Sequence, residues 1–336
     1  MPLIPSSYKA PKWLLGKHSE TVLPSLFRQV EGVNYIRERI PTFDGDFLDL
    51  DWSGKGGSRL AVLSHGLEGS TRSPYILGMV KTLNENGWDT AAWNFRGCSG
   101  ELNLRRRFYH AGSTEDLDSV VKHALKTRRY SEIILIGFSL GGNIVLKYLG
   151  ENNSGGVPHI SKSVVFSVPC DLRSCVNKLS DRANYIYLRN FLVTLKTKMM
   201  QKAEKFPDIL LDVDLSKINN FTDYDTYITA PLFGFKDALH YYSECSTNNV
   251  IPSIRTPCLI VNAKNDPILD ISRAPVEECR RSDWVHLEQP TRGGHLGFMK
   301  DGINGGYWSE DRVLEFLKSE DNSTLLSKNF RGRNRR

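Results

Sequence analysis

Glu132 to Leu149 constrains this chain more than any other stretch. Ile133 to Ile136 is a continuous apolar run, as a strand buried on both faces requires. Gly137-Phe138-Ser139-Leu140-Gly141 follows, and then Ile144, Val145, Tyr148 and Leu149 recur at helical spacing. This reads as strand, sharp turn, helix, with a serine at the apex. So tight a turn strains the backbone of its central residue and demands small neighbours, which Gly137, Gly141 and Gly142 supply. The Ser139 hydroxyl then stands at the C-terminal edge of a sheet. The Leu140 amide falls at a helix N-terminus, where an oxyanion could be held. A phosphate-binding loop is the competing reading. It needs lysine after its second glycine, where Asn143 stands, and no G-x-G-x-x-G pattern fits.

The surrounding pattern predicts the sheet. Tyr35 to Ile40 and Phe47 to Trp52 alternate around Phe43-Asp44-Gly45-Asp46, which predicts an antiparallel hairpin. Buried strands are expected at Arg59 to Ser64, Thr90 to Asn94, Ser163 to Val168, Pro257 to Ala263 and Trp284 to Glu288. Helices are expected at Pro74 to Asn86, after a Ser113 or Thr114 cap, and from about Tyr307 to Lys318. Strands alternating with helices imply right-handed crossovers and a mostly parallel sheet. From about Leu172 to Val250 that alternation stops and the pattern is helical. Leu188, Leu192, Leu195 and Met199 share one helical face, with Arg189, Lys196, Lys198 and Lys202 expected elsewhere. The expected organisation is a core of residues 1–170 and 251–320, a helical cap over 171–250, and a disordered basic tail over 321–336. Residues 1–30 are expected to wrap the body without forming a core element.

Composition narrows the class. The chain has 336 residues, 40% hydrophobic and 24% charged, as a soluble globular protein does. No apolar run approaches the roughly 20 residues of a membrane helix, and the first residues do not read as a signal peptide. The six cysteines show neither pairing nor metal spacing, which suggests free thiols in a reducing compartment and a cytoplasmic location. The net charge of +6 is mostly Lys328, Arg331, Arg333, Arg335 and Arg336, so it does not argue for nucleic acid.

A serine nucleophile needs a base, and the base needs an orienting acid. In the α/β-hydrolase fold they follow in the order Ser, Asp or Glu, His, each in a loop just past a strand. Asp266 stands after Leu259 to Ala263, and His295 after Trp284 to Glu288, with glycines on either side that let its loop approach the serine. Asp171 is the competing acid, but it opens the cap, where aspartate suits a helix cap. The second oxyanion amide is expected at Leu67, in the loop after Arg59 to Ser64. His65 is expected to brace that loop, and Arg96 to pair with Asp116 or Glu115.

Several motifs together resemble one family. They are His65-Gly66-Leu67-Glu68-Gly69-Ser70, Asn94-Phe95-Arg96-Gly97-Cys98-Ser99-Gly100, Tyr109-His110-Ala111-Gly112-Ser113-Thr114-Glu115-Asp116-Leu117, Gly137-Phe138-Ser139-Leu140-Gly141-Gly142-Asn143, Asn265-Asp266-Pro267 and Gly293-Gly294-His295-Leu296-Gly297-Phe298. They resemble the AB-hydrolase type 4 family, which includes bacterial YheT-type hydrolases and eukaryotic phospholipase-like members. The opening, Lys12 to Thr21, is similar to the N-terminal segment of that family. The resemblance implies a serine esterase on small acyl esters, with Ser139, Asp266 and His295 as triad and no metal or cofactor. Asn265 departs from the family, whose members often carry a second acid there. Two other readings stay open: an acyltransferase using the same acyl-enzyme, and a non-catalytic binding protein on this fold.

Overall fold

The computed structural model describes residues 3–152, 159–211 and 213–319. The basic tail expected over 321–336 lies outside them. A nine-stranded sheet runs in the order β1-β9-β8-β7-β6-β4-β5-β3-β2. Its strands are β1 (Leu3–Ile4), β2 (Ile36–Pro41), β3 (Phe47–Ser53), β4 (Arg59–Ser64), β5 (Asp89–Trp93), β6 (Glu132–Phe138), β7 (Ile160–Phe166), β8 (Cys258–Val261) and β9 (Val285–Glu288). Only the pairings of β3 with β2 and β5 are antiparallel, so the predicted hairpin forms one edge of a parallel sheet.

The helices are α1 (Lys17–Phe27), α2 (Pro74–Glu85), α3 (Thr114–Thr127), α4 (Leu140–Glu151), α5 (Leu172–Leu179), α6 (Tyr185–Lys205), α7 (Phe221–Tyr224), α8 (Ala230–Phe233), α9 (Ala238–Cys245), α10 (Val276–Arg280) and α11 (Trp308–Lys318). Successive residues of a strand point to opposite faces. On β6, Ile133 and Leu135 join a core with α3 and α4, while Ile134, Ile136 and Phe138 join one with α2 and α11. Each face of the strand is therefore covered, which explains its unbroken apolar run.

From α5 to α9 the chain is helical and builds a third core, in which Leu188, Leu192 and Met199 of α6 meet Phe221, Tyr224 and Tyr242. The expectation that the α6 lysines lie elsewhere fails at two positions. Lys202 is fully buried, with Nζ donating to the carbonyls of Asn103 at 2.8 Å and Arg105 at 2.5 Å. Burial pulls its amine down to about 8. Lys198 reaches the loop after β4, where Nζ donates to Glu68 at 3.0 Å. Long methylene stems let a lysine lie along apolar surface and still find an acceptor.

The first thirty residues also do more than wrap. β1 adds a parallel strand beside β9, and α1 buries Glu20 and Thr21 against the loop after β9. At α3 the position of the expected cap is met but not its bond. Ser113 precedes the helix, yet its Oγ accepts from the His110 amide and caps no helical N–H. Arg96 meets Asp116 as expected (2.7 and 2.8 Å) and also Asp44 and Asp46. All six cysteines are free. Among the described residues no helix is long and apolar enough to cross a membrane.

Candidate active site

The turn between β6 and α4 has the strain its sequence predicts. Ser139 adopts φ 52° and ψ −119°, in the region a residue with a Cβ avoids. Its neighbours explain the glycines. A Cβ at Gly141 would stand 2.3 Å from the His65 carbonyl oxygen, and one at Gly137 would stand 2.6 Å from the Gly142 Cα. The turn is pinned where the Ser139 amide donates to the Phe166 carbonyl at 2.8 Å.

Three strand ends converge there. Ser139 Oγ donates to His295 Nε2 at 3.0 Å, and His295 Nδ1 donates to Asp266 Oδ2 at 2.8 Å. A carboxylate only accepts, so it fixes the imidazole proton on Nδ1 and leaves the Nε2 lone pair facing the hydroxyl. The other oxygen, Asp266 Oδ1, accepts from the Ile268 and Leu269 amides at 2.8 and 3.2 Å. Asp266 is 5% exposed, so its orientation is set by protein groups. Asp171, the competing acid, instead caps α5 by accepting from the Ser174 amide at 2.9 Å.

The loop after β4 packs directly on the serine: a Cβ on Gly66 would stand 3.2 Å from Ser139 Cβ. His65 braces this loop. Its Nδ1 donates to the Gly66 carbonyl at 2.7 Å, and its Nε2 accepts from the Phe95 amide at 3.1 Å. Burial pulls this imidazole down to about 3, so it stays neutral and keeps both bonds. Leu67 follows, and Leu140 opens α4, whose first amides have no partner within the helix. Both leucines line the cavity beside Ser139.

A further set of residues was not assigned from the sequence. Glu20, 1% exposed, accepts from the Gly293 amide and Asn265 Nδ2, both at 2.8 Å, and from Arg292 Nε at 2.6 Å. Thr21 Oγ1 accepts from the His295 amide at 2.9 Å. Asn265 Oδ1 accepts from the Gly294 amide at 3.1 Å, so Asn265 joins the acid loop to the histidine loop. The similarity of Lys12 to Thr21 to a family segment was the one signal available, and it did not say what the segment holds. Beside Leu67, Glu68 accepts from Tyr109 OH at 2.7 Å and from Lys198.

Two cavities meet at Ser139 and His295. One, of about 120 Å³, runs under the helical segment past Leu172, Val176, Phe191, Phe221 and Ile228. The other, of about 530 Å³, lies between α1 and the start of α6, past Leu26, Tyr75, Ile186 and Asn190.

A model of the alpha/beta hydrolase fold matches residues 62–301. The chain belongs to that family. It is 33% identical over 308 residues to the putative esterase YheT of Escherichia coli, covering 89% of each chain. It is 28% identical to phospholipase ABHD3 of Mus musculus, over 94% of this chain and 78% of that one. To the monoacylglycerol lipase of Saccharomyces cerevisiae it is 28% identical, over 87% of this chain and 68% of that one. Among solved structures, the Pyrococcus furiosus esterase Pf2001 superposes with a TM-score of 0.57 at 19% identity, covering 87% of this chain and 95% of that one, a likeness of fold. The YheT-type resemblance read from the motifs therefore holds.

Proposed function

We propose that this α/β-hydrolase cleaves carboxylic esters of short- to medium-chain acyl groups through a Ser139-His295-Asp266 triad. The carrying observation is the continuous hydrogen-bond chain from Asp266 through His295 to a strained serine beside an apolar cavity. His295 Nε2 takes the Ser139 proton as Oγ attacks the ester carbonyl carbon. The carbonyl oxygen becomes an oxyanion, held by the Leu67 and Leu140 amides. The intermediate collapses and its bond to the alkoxy oxygen breaks. His295 gives its proton to that oxygen, and the alcohol leaves. Water then yields a proton to Nε2 and attacks the acyl-enzyme. Collapse of this second intermediate returns the proton to Ser139 and releases the acid.

The apolar cavity under 171–250, which we take as the cap, receives the acyl group. The wider opening between α1 and α6 passes the alcohol and water. The names of the relatives, an esterase, a phospholipase and a lipase, agree with ester substrates.

The test is a fluorophosphonate probe together with a panel of p-nitrophenyl esters of rising acyl length. Wild type is expected to be labelled and to turn over the shorter esters, and Ser139→Ala to lose both with its melting temperature nearly unchanged. A Ser139→Ala variant that keeps near wild-type activity would refute the proposal. With methanol added, free acid as the main product supports hydrolysis, whereas methyl ester as the main product identifies an acyltransferase.

A further inference from the structure

The cavity beside Ser139 also carries a carboxyl group that the ester chemistry leaves without a task. Asp225 is 7% exposed and lines this cavity. Its Oδ1 accepts from Thr229 Oγ1 at 2.6 Å and its Oδ2 from Tyr242 OH at 2.7 Å. Among the described residues no basic side chain comes within 4 Å of it. A buried carboxyl with no cation is costly, and proteins keep such groups where they act. Burial pushes this one up to about 6.

The backbone points the same way. Asp225–Thr229 forms a π-helical turn, a rare feature that is frequent at functional sites. Asp225 and Thr229 both line the cavity, and Tyr242 comes from α9 to meet them. Both hydroxyl hydrogens are already directed at the carboxylate, so the cluster offers the cavity acceptors alone. Around it the wall is apolar, with Leu172, Phe221, Ile228 and Leu232. A saturated chain filling this space would press methylenes against a carboxyl and strip its remaining hydration. A chain bearing a hydroxyl would donate to it instead.

We propose that Asp225, held by Thr229 and Tyr242, is a second recognition point in the acyl cavity, selecting hydroxyacyl esters over plain saturated esters of the same length. This rests on the reading of that cavity as the acyl site. A site built to receive a hydrogen bond discriminates strongly against an analogue lacking it, so a preference of about 10-fold or more is expected.

The test compares p-nitrophenyl butanoate with the esters of hexanoate, octanoate and decanoate, each plain and ω-hydroxylated, on wild type, Asp225→Leu and Asp225→Asn. Wild type is expected to prefer at least one ω-hydroxy ester over its plain partner by about 10-fold in kcat/KM. Asp225→Leu is expected to reverse that preference by raising kcat/KM for the plain ester. Asp225→Asn, the milder change, is expected to shrink the preference without reversing it. Equal treatment of every pair by wild type overturns the proposal. So does an Asp225→Leu or Asp225→Asn variant that slows all esters by one factor as its melting temperature drops, which would mark a structural carboxyl. Failure of the underlying esterase reading looks different: neither butanoate turnover nor probe labelling of Ser139 in wild type.

Discussion

Glu20 lies 275 residues before His295 in the chain, yet its removal should disable the enzyme. In Glu20→Ala the Gly293 amide, Asn265 Nδ2 and Arg292 lose their acceptor at once. Arg292 has a side chain 35% exposed and can take up water, so its lost ion pair counts for little. The Gly293 amide is buried, and an orphaned buried donor costs about 1–3 kcal/mol. The part-buried Asn265 amide adds about 1 kcal/mol. The total is roughly 3 kcal/mol, or about 4 °C in melting temperature for a chain of 336 residues.

The catalytic effect follows from where those donors sit. Gly293 and Gly294 have φ of 141° and 57°, backbone that their own sequence does not hold in place. Glu20, Asn265 and Thr21 hold it, and His295 comes next. A displacement of about 1 Å in a reacting group costs on the order of 10²-fold. We expect Glu20→Ala to lower kcat by about 10- to 100-fold with little change in KM. Glu20→Gln retains an acceptor oxygen and should recover part of the loss. Thermal melts and p-nitrophenyl butanoate kinetics on both variants provide the check. A Glu20→Ala enzyme that melts lower but keeps full kcat would refute the positioning argument, and an unchanged melt would refute the energetic one.

Two expectations follow from other parts of the site. Asp266→Asn should lower kcat by on the order of 10³ to 10⁴, because the amide favours the wrong imidazole tautomer; Asp171→Asn should cost about 1 kcal/mol or less in urea unfolding, and the opposite ranking in kcat would reverse the assignment. His65 is neutral in the folded protein down to about 3, while the unfolded chain takes up its proton below the ordinary 6.5. Its contribution is therefore fully present above pH 6.5 and is lost as pH falls toward 3, by at most about 1.4 kcal/mol per pH unit. Urea unfolding from pH 7 to 4 should show that slope, reduced in His65→Gln.

What could be read from the sequence was what local pattern carries. The elbow combines an apolar run, glycines at fixed offsets and a helical period, all within 18 residues, so Ser139 and Leu140 were legible. Asp266 and His295 were legible because the fold places each after a strand and the strands have their own period. The choice between Asp171 and Asp266 turned on helix-cap chemistry, again local. Glu20 was not legible. A glutamate in a short helix reads as solvated, and only the contact with Gly293, far along the chain, makes it a buried acceptor. Lys198 and Lys202 misled for a related reason: periodicity assigns a lysine by its charge, whereas its stem can lie in a core and its amine can reach a carbonyl. Asp225 sits on a π turn, whose extra residue breaks the 3.6 period on which such readings depend.

These polar groups fall on two sides of Ser139 with different tasks. Glu20, Thr21 and Asn265 lie toward α1 and hold backbone; they define where the imidazole stands. Asp225, Thr229 and Tyr242 belong to the helical segment 171–250 itself and hold no backbone amide of the loops that carry Asp266 and His295; they face the cavity. No hydrogen bond joins the two sets among the described residues. Perturbations at sites without shared partners add in free energy. Loss of the α1 set should therefore scale the turnover of every ester by one factor, while loss of the Asp225 set should change only the ranking among esters. In the double variant Glu20→Ala, Asp225→Leu, the ester ranking of Asp225→Leu should survive at the reduced rate of Glu20→Ala. A ranking that changes when Glu20 is removed would mean that the imidazole and the cavity beside Ser139 move as one unit, with the helical segment 171–250 then coupled to the position of His295.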